Sequence, residues 1–346
     1  MVHNKTRWEI FRNVIEKSGS IFTCHFALAG LTLRLAVGLE GVAMHSVVLE
    51  NVSKRFGSTQ AANHVSFDVQ PGEIFGLLGP NGAGKTTIIR MMLDIMRPDN
   101  GRIQIFGGSM NEAKKDRIGY LPEERGLYAD QKLMDIILYL ASLKGMKKET
   151  AVSAAETYLK QLDLWQHRDK KMSALSRGMH QKAQFIVTIL HNPDLIIVDE
   201  PFSGLDPVNT QLIKEMLLTL RNQGKTIIMS THQMHQVEAL CDRIVLIHRG
   251  KVVLQGAVDH VRRQFAGNSV EVSGTGPFDQ LPQVLRTSHH NHTWQITLAD
   301  GETPQSLLRE LVQNEAISIE HFSIALPSLN DIFIRIVGDS EAKEQS

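Results

Sequence analysis

"GPNGAGKTT", residues 79–87, is the stretch whose reading decides the fold. It satisfies the pattern G-x-x-x-x-G-K-[ST] through Gly79, Gly84, Lys85 and Thr86. Glycines at this spacing let backbone N–H groups turn inward around phosphate oxygens. Lys85 then reaches the β- and γ-phosphates, and the Thr86 hydroxyl binds Mg²⁺. The context agrees with that chemistry. "EIFGLL" before the loop reads as a strand, and from Gly84 to Met96 the apolar period becomes helical, stopping before Pro98. A strand–loop–helix unit aims the positive end of the helix at the bound anion.

Outward from the loop, two uninterrupted apolar runs, "DLIIVDE" and "KTIIMSTH", read as central parallel strands buried on both faces. Each leads into a helix, the pattern of an α/β sheet. The first run ends in two acids. A carboxylate at such a strand end, beside a phosphate loop, holds Mg²⁺ through water, and this role is expected of Asp199. Glu200 is then the general base that polarises the attacking water. His232 ends the next strand at the same sheet edge, where an imidazole donor would touch the γ-phosphate. "ALSRGMHQKAQF", residues 174–185, opens a helix with Ser176 and Gly178; read alone it is no more than an N-capped helix. Residues 46–75 alternate as strands broken by turns, and residues 131–165 read as helical with Leu133, Ile136, Ile137, Leu140 and Leu143 on one face.

Composition narrows the function classes. Lys+Arg and Asp+Glu are both 37, so a general nucleic-acid binder is disfavoured and no nucleic-acid partner is expected. The two cysteines, Cys24 and Cys241, give no metal spacing and no disulfide framework, and Cys241 sits in an apolar run as a small buried hydrophobe. The run "IFTCHFALAGLTL" is short of the roughly 20 residues that cross a bilayer. Met44 looks like a natural start. Residues 1–43 are therefore expected to be an extension, outside the native protein or disordered, with a peripheral membrane-touching helix as the second reading. Beyond Gly267 the composition shifts to half-exposed strands and an amphipathic helix capped by Thr303, a small α+β module with a split βαβ arrangement as one option. His289, His290 and His292 lack an acid or Cys at ligand spacing and are read as an exposed hairpin loop before a metal site.

The set "GPNGAGKTT", "LSRGM", "LIIVDEP", "SGLD" and "STH" resembles, in order and rough spacing, the nucleotide-binding domains of ABC transporters over about residues 46–260. That resemblance implies a P-loop NTPase (ABC ATPase) domain with a helical subdomain and an antiparallel β subdomain. Its expected extent is 44–266, with the helical part about 123–178, followed by the α+β accessory domain at 267–338 and a disordered tail at 339–346. ATP and Mg²⁺ are the implied ligands. Gly79, Asn81, Gly82, Gly84, Lys85, Thr86 and Thr87 would bind nucleotide, with Phe56 of "SKRFGS" stacking on adenine. Two domains pair head to tail in the family, so Ser176 and Gly178 would contact the γ-phosphate held by a second ATPase subunit, expected to be a second copy, and Asp206 of "SGLD" would link the two sites. Arg177 and Met179 depart from the usual Gly and Gln of that motif.

The finer resemblance is to ATPase subunits of ABC-2 type exporters, the NatA-type sodium-efflux subgroup in particular, through "GYLPEERGLY", "LSRGMHQK" and "PSLNDIFI". It implies an integral membrane permease as partner, a place on the cytoplasmic face of the membrane, and Na⁺ or another small species as cargo. Glu123 stands where the family usually has a Gln that contacts Mg²⁺ or the attacking water, and is read as a substituted sensor beside the metal. The competing class is a soluble nucleotide-dependent scaffold. Such proteins usually carry two ATPase domains or long coiled coils, and this chain has one motif set and no sustained heptads.

Overall fold

The computed structural model describes residues 27–28, 31–32, 45–124, 126–290 and 292–344. The expectation for residues 1–43 lies outside these, except for a two-strand pairing of β1 (Ala27–Leu28) with β2 (Leu31–Thr32) in a unit of its own.

Three antiparallel strands follow, β3 (Val47–Phe56), β4 (Thr59–Val69) and β6 (Asn100–Ile105), in the order β4-β3-β6. The main sheet holds β5 (Ile74–Leu78), β7 (Ile118–Leu121), β8 (Leu195–Asp199), β9 (Thr226–Thr231), β10 (Arg243–His248) and β11 (Lys251–Ala257). Its order is β11-β10-β5-β9-β8-β7, parallel throughout except for β11. The apolar runs behave as read: every residue of β5, β8 and β9 is buried, as strands covered on both faces must be.

Alternate side chains of these strands feed two cores. Phe75, Leu77, Ile197 and Ile228 pack with Ile88 and Ile89 of helix α1 (Lys85–Met92) and with the antiparallel sheet. Ile74, Leu78, Ile196 and Val198 face the other way. There they meet helices α3 (Leu133–Leu143), α4 (Lys148–Gln161), α5 (Arg177–Ile189), α6 (Pro207–Asn222) and α7 (Met234–Leu240), while the short α2 (Glu112–Lys115) has no buried residue. Phe185 of α5 is fully buried here, and its replacement by Ala would cost about 3–5 kcal/mol.

Residues 131–165 do not form one helix. The chain breaks at Gly145 (φ 72°) between α3 and α4, and Leu143 at the end of α3 is exposed rather than part of the apolar face. Cys241 is buried against Gly76, and burial pushes its thiol well above the ordinary range.

After α8 (Val258–Gln264), β12 (Ser269–Thr275), β13 (Val284–His290), β14 (Thr293–Leu298) and β15 (Ser318–Ile324) form an antiparallel sheet in the order β13-β14-β12-β15. β14 and β15 both run antiparallel to β12, hence parallel to each other, and α9 (Pro304–Gln313) crosses between them. This is the split βαβ unit, and Thr303 caps α9 through a reciprocal bond with Ser306. His289 and His290 belong to β13 rather than to a loop, and His289 stacks on Trp294 at 4.5 Å.

The last helix, α10 (Leu329–Glu344), corrects the tail expected at 339–346: residues 339–344 continue the helix, as "DSEAKE" with its Glu, Ala and Lys permits. Its start docks on the core beside the main sheet rather than on the small module. Leu329 and Ile332 join the larger core. The Leu329 N–H donates to Glu238 at 2.6 Å, and Arg262 donates to the carbonyls of Pro327 (3.0 Å) and Leu326 (3.3 Å).

Candidate active site

The loops after β5, β7, β8 and β9 all leave from the C-terminal ends of parallel strands, so they converge on one edge. At Gly79 (φ 150°) an added Cβ would lie 2.2 Å from the Ile247 carbonyl oxygen, and at Gly84 (φ 110°) 2.0 Å from that of Ala61. Only glycine fits either place. Gly84 caps α1 with no side-chain bond, so the first N–H groups of that helix remain available to an anion. Lys85 is buried and folded onto its own loop, donating to the carbonyls of Gly79 (2.7 Å) and Pro80 (3.2 Å). Burial pulls its ammonium pKa down, against the pull of Glu200, Asp199 and Glu123. Asn81 and Gly82 are exposed at the loop tip, and Thr87 is half-buried behind it.

The Thr86 hydroxyl donates to the Asp199 carboxylate at 3.1 Å. Asp199 is almost wholly buried, and burial raises its pKa although the Ser230 and Thr86 hydroxyls act the other way. A hydroxyl and a carboxylate side by side, both hard oxygen donors, fit a Mg²⁺ ion.

Glu200 has φ 49°, a left-handed conformation that costs a non-glycine residue about 1–3 kcal/mol. It is held there by a full set of partners. Its N–H donates to the Ser230 carbonyl (2.9 Å), Oε1 accepts from the His232 backbone N–H (3.0 Å), and Oε2 accepts from Thr231 Oγ1 (3.0 Å). His232 Nδ1 lies 2.8 Å from Oε1. A neutral ring donating through Nδ1 presents only an acceptor at Nε2. To donate to a phosphate it must release Glu200 or carry both protons.

The other expected residues divide. Phe56 is exposed at the β3–β4 turn, with Lys54 Nζ 5.7 Å from its ring centroid. Glu123 is exposed just past β7, and its charge acts on both Lys85 and Tyr120. The Tyr120 hydroxyl is pushed up to about 12 by burial, with Asp199, Glu124 and Glu123 adding to the effect. Ser176 caps α5, its Oγ accepting from the Met179 N–H at 3.3 Å. A Cβ on Gly178 would make only ordinary contact, 3.6 Å from Leu205 Cδ2, so the fold of the single chain does not itself demand glycine there. Asp206 caps α6, where hydrogen bonds from Asn209 hold its carboxyl below the usual range. Thr231, which fixes Glu200, was not singled out in the sequence; its place beside His232 at a strand end was the available signal.

Residues 62–203 match the family model described as "ABC transporter". The chain is 40% identical over 299 residues to an uncharacterized ABC transporter ATP-binding protein, YhaQ, of Bacillus subtilis, covering 84% of this chain and 98% of that one. The chain belongs to the ABC transporter ATP-binding proteins.

Residues 256–337 of this ATP-binding subunit match the model described as "ATP-binding protein DrrA1-3-like, C-terminal domain". It is also 32% identical over 299 residues to the Nod factor export ATP-binding protein I of Burkholderia lata, covering 83% of this chain and 95% of that protein. A solved ATP-binding subunit of an ABC transporter superposes with a TM-score of 0.60 at 30% identity, over 63% of this chain and 92% of the other. The fold is that of an ABC ATPase.

Proposed function

We propose that this subunit hydrolyses ATP to drive an ABC-2 type membrane exporter from the cytoplasmic face of the membrane. The observation that carries the reading is the meeting of Lys85, Thr86, Asp199, Glu200 and His232 at one sheet edge, with Glu200 held by His232 at 2.8 Å. In this reading Lys85 leaves the loop carbonyls for the β- and γ-phosphates, the N–H groups of residues 82–87 cradle them, and Phe56 stacks on the adenine. Thr86 and Asp199 would hold Mg²⁺, with Glu123 beside it; the ion neutralises phosphate charge when bound. Glu200 accepts the proton of the attacking water once His232 has turned away. Ser176 and Gly178 serve the nucleotide of a second copy of the chain, and Asp206 lies between the two sites.

Export is supported by the relatives named for Nod factor export and by the DrrA-like C-terminal match. The likeness to the NatA-type subgroup makes Na⁺, or another small species, the first cargo to test. Purification of the tagged chain from detergent extracts is expected to bring a polytopic permease with it, and the reconstituted pair should move ²²Na⁺ in proteoliposomes only with ATP. Recovery of the chain with ribosomes and no membrane protein would overturn the exporter in favour of a soluble scaffold.

A further inference from the structure

The helix carrying Ser176 and Gly178 is stitched to the strand that leads into Glu123. β7 is the edge strand of the main sheet, and the Arg117 carbonyl just before it points inward, accepting from Leu195 at 3.2 Å. Carbonyls of the opposite parity, those of Ile118 and Tyr120, therefore point outward without a strand partner. Side chains cap them. Thr188 Oγ1, whose proton has the Gln184 carbonyl as its nearer acceptor at 2.9 Å, lies 3.3 Å from the Tyr120 carbonyl, and His191 Nε2 lies 3.1 Å from that of Ile118. Gln184 continues the series one turn earlier, its Nε2 donating to the Glu124 carbonyl at 3.3 Å. The three positions, 184, 188 and 191, lie at i, i+4 and i+7 on one helix face.

Gln184 differs from the other two. Thr188 and His191 hold carbonyls fixed in the sheet, whereas Gln184 holds a carbonyl of the loop itself, in the residue next to Glu123. It is 5% exposed, and its Oε1 has no partner among the described residues. A buried amide with one side bonded and the other open is only half satisfied. A small displacement of the loop that brought an N–H to Oε1 would complete it.

We infer that Gln184 is a positioning residue that ties movement of the Glu123 loop to α5. Ser176 and Gly178, about 12 Å and about 9 Å toward the N-terminus, then follow the loop. The inference rests on the ATPase reading, in which that loop responds to nucleotide.

Hydrogen exchange on the full chain, with and without Mg-ATP, separates the two. In the wild type, ATP is expected to slow exchange at Glu123, Glu124 and Gly126 and, in step, at residues 177–181. In Gln184→Met the loop still responds but the change at 177–181 is lost. Its kcat falls several-fold while KM for ATP and the melting temperature hold. Gln184→His, which keeps both a donor and an acceptor, restores the joint response. A Gln184→Met protein with joint protection and normal kcat overturns the inference, as does failure of Gln184→His to restore it in a folded protein. Absence of any ATP response in the wild type overturns the ATPase reading along with it.

Discussion

The two ends of the main sheet hold charges on opposite terms. At the N-terminal ends of the strands the charges are paired, although burial still raises the Glu73 carboxyl above its ordinary range. Arg243 donates to Asp68 (3.0 Å) and Glu73 (3.2 Å), and Asp242 takes the Ile74 N–H (2.9 Å) and Arg221. Burial works against the Arg243 charge, but Asp68 and Glu73 outweigh it and hold the guanidinium above its ordinary range. About 17 Å away along the strands, at their C-terminal ends, the balance fails. Burial raises Asp199 and lowers Lys85, so at both groups the surroundings oppose the charged form. One end is built for stability. The other stores unmet charge that a polyanion and a divalent cation would satisfy.

The largest effect should come from the end with unmet charge. Glu200→Gln keeps the shape of the side chain and most of its bonds but removes the base. Phosphate release should fall about 10²–10⁴-fold, and the protein should run as an ATP-bound dimer on size exclusion. Near-normal hydrolysis would remove Glu200 from the base role.

The next pair of variants tests the comparison directly. The Asp199 pKa in the folded chain lies above its unfolded value. Its contribution to stability is therefore fully present below the unfolded value and is lost as pH rises through the folded one. Asp199→Asn should then raise the melting temperature of the nucleotide-free protein at neutral pH, while abolishing the stabilisation that Mg²⁺ gives the wild type. Arg243→Met should do the reverse. It leaves buried Glu73 with the Gln70 N–H but without its cation and should cost about 1–3 kcal/mol in urea unfolding, with kcat unchanged. Equal losses of activity from both variants would erase the distinction between the ends.

How much of this was legible in the sequence follows from what each signal encodes. Apolar runs and loop glycines report local demands, so β5, β8, β9 and the turn geometry of Gly79 and Gly84 could be read directly. The convergence of Asp199 and His232 followed from strand ends alone. Side-chain pairing did not. The resemblance gives Ser176 a phosphate contact and Asp206 a place between the two sites, and in the single chain both side chains are occupied as helix caps. The apolar face of "PSLNDIFI" announced burial without saying where, and it docks on the ATPase core through Leu329 and Ile332. The break at Gly145 was hidden because apolar residues continue on either side of it. Gln184 is one more polar residue on a helix until the loop after β7 places the Glu124 carbonyl beside it.

Glu123 offers the smallest and most discriminating effect. It is exposed, so its charge is partly screened, yet it helps hold Lys85 in the ammonium form that burial disfavours. Glu123→Gln removes that help but keeps one acceptor and adds a donor pair. Hydrolysis should then stay within about threefold of the wild type, under about 1 kcal/mol in the barrier. Glu123→Ala keeps neither acceptor nor reach, and should lose stimulation by the permease more than basal turnover. If both variants lose hydrolysis, the carboxylate itself takes part in the chemistry and Glu200 shares the base role; if neither changes anything, the loop reports nucleotide through its backbone, and the bond from Gln184 to Glu124 is its remaining contact with α5.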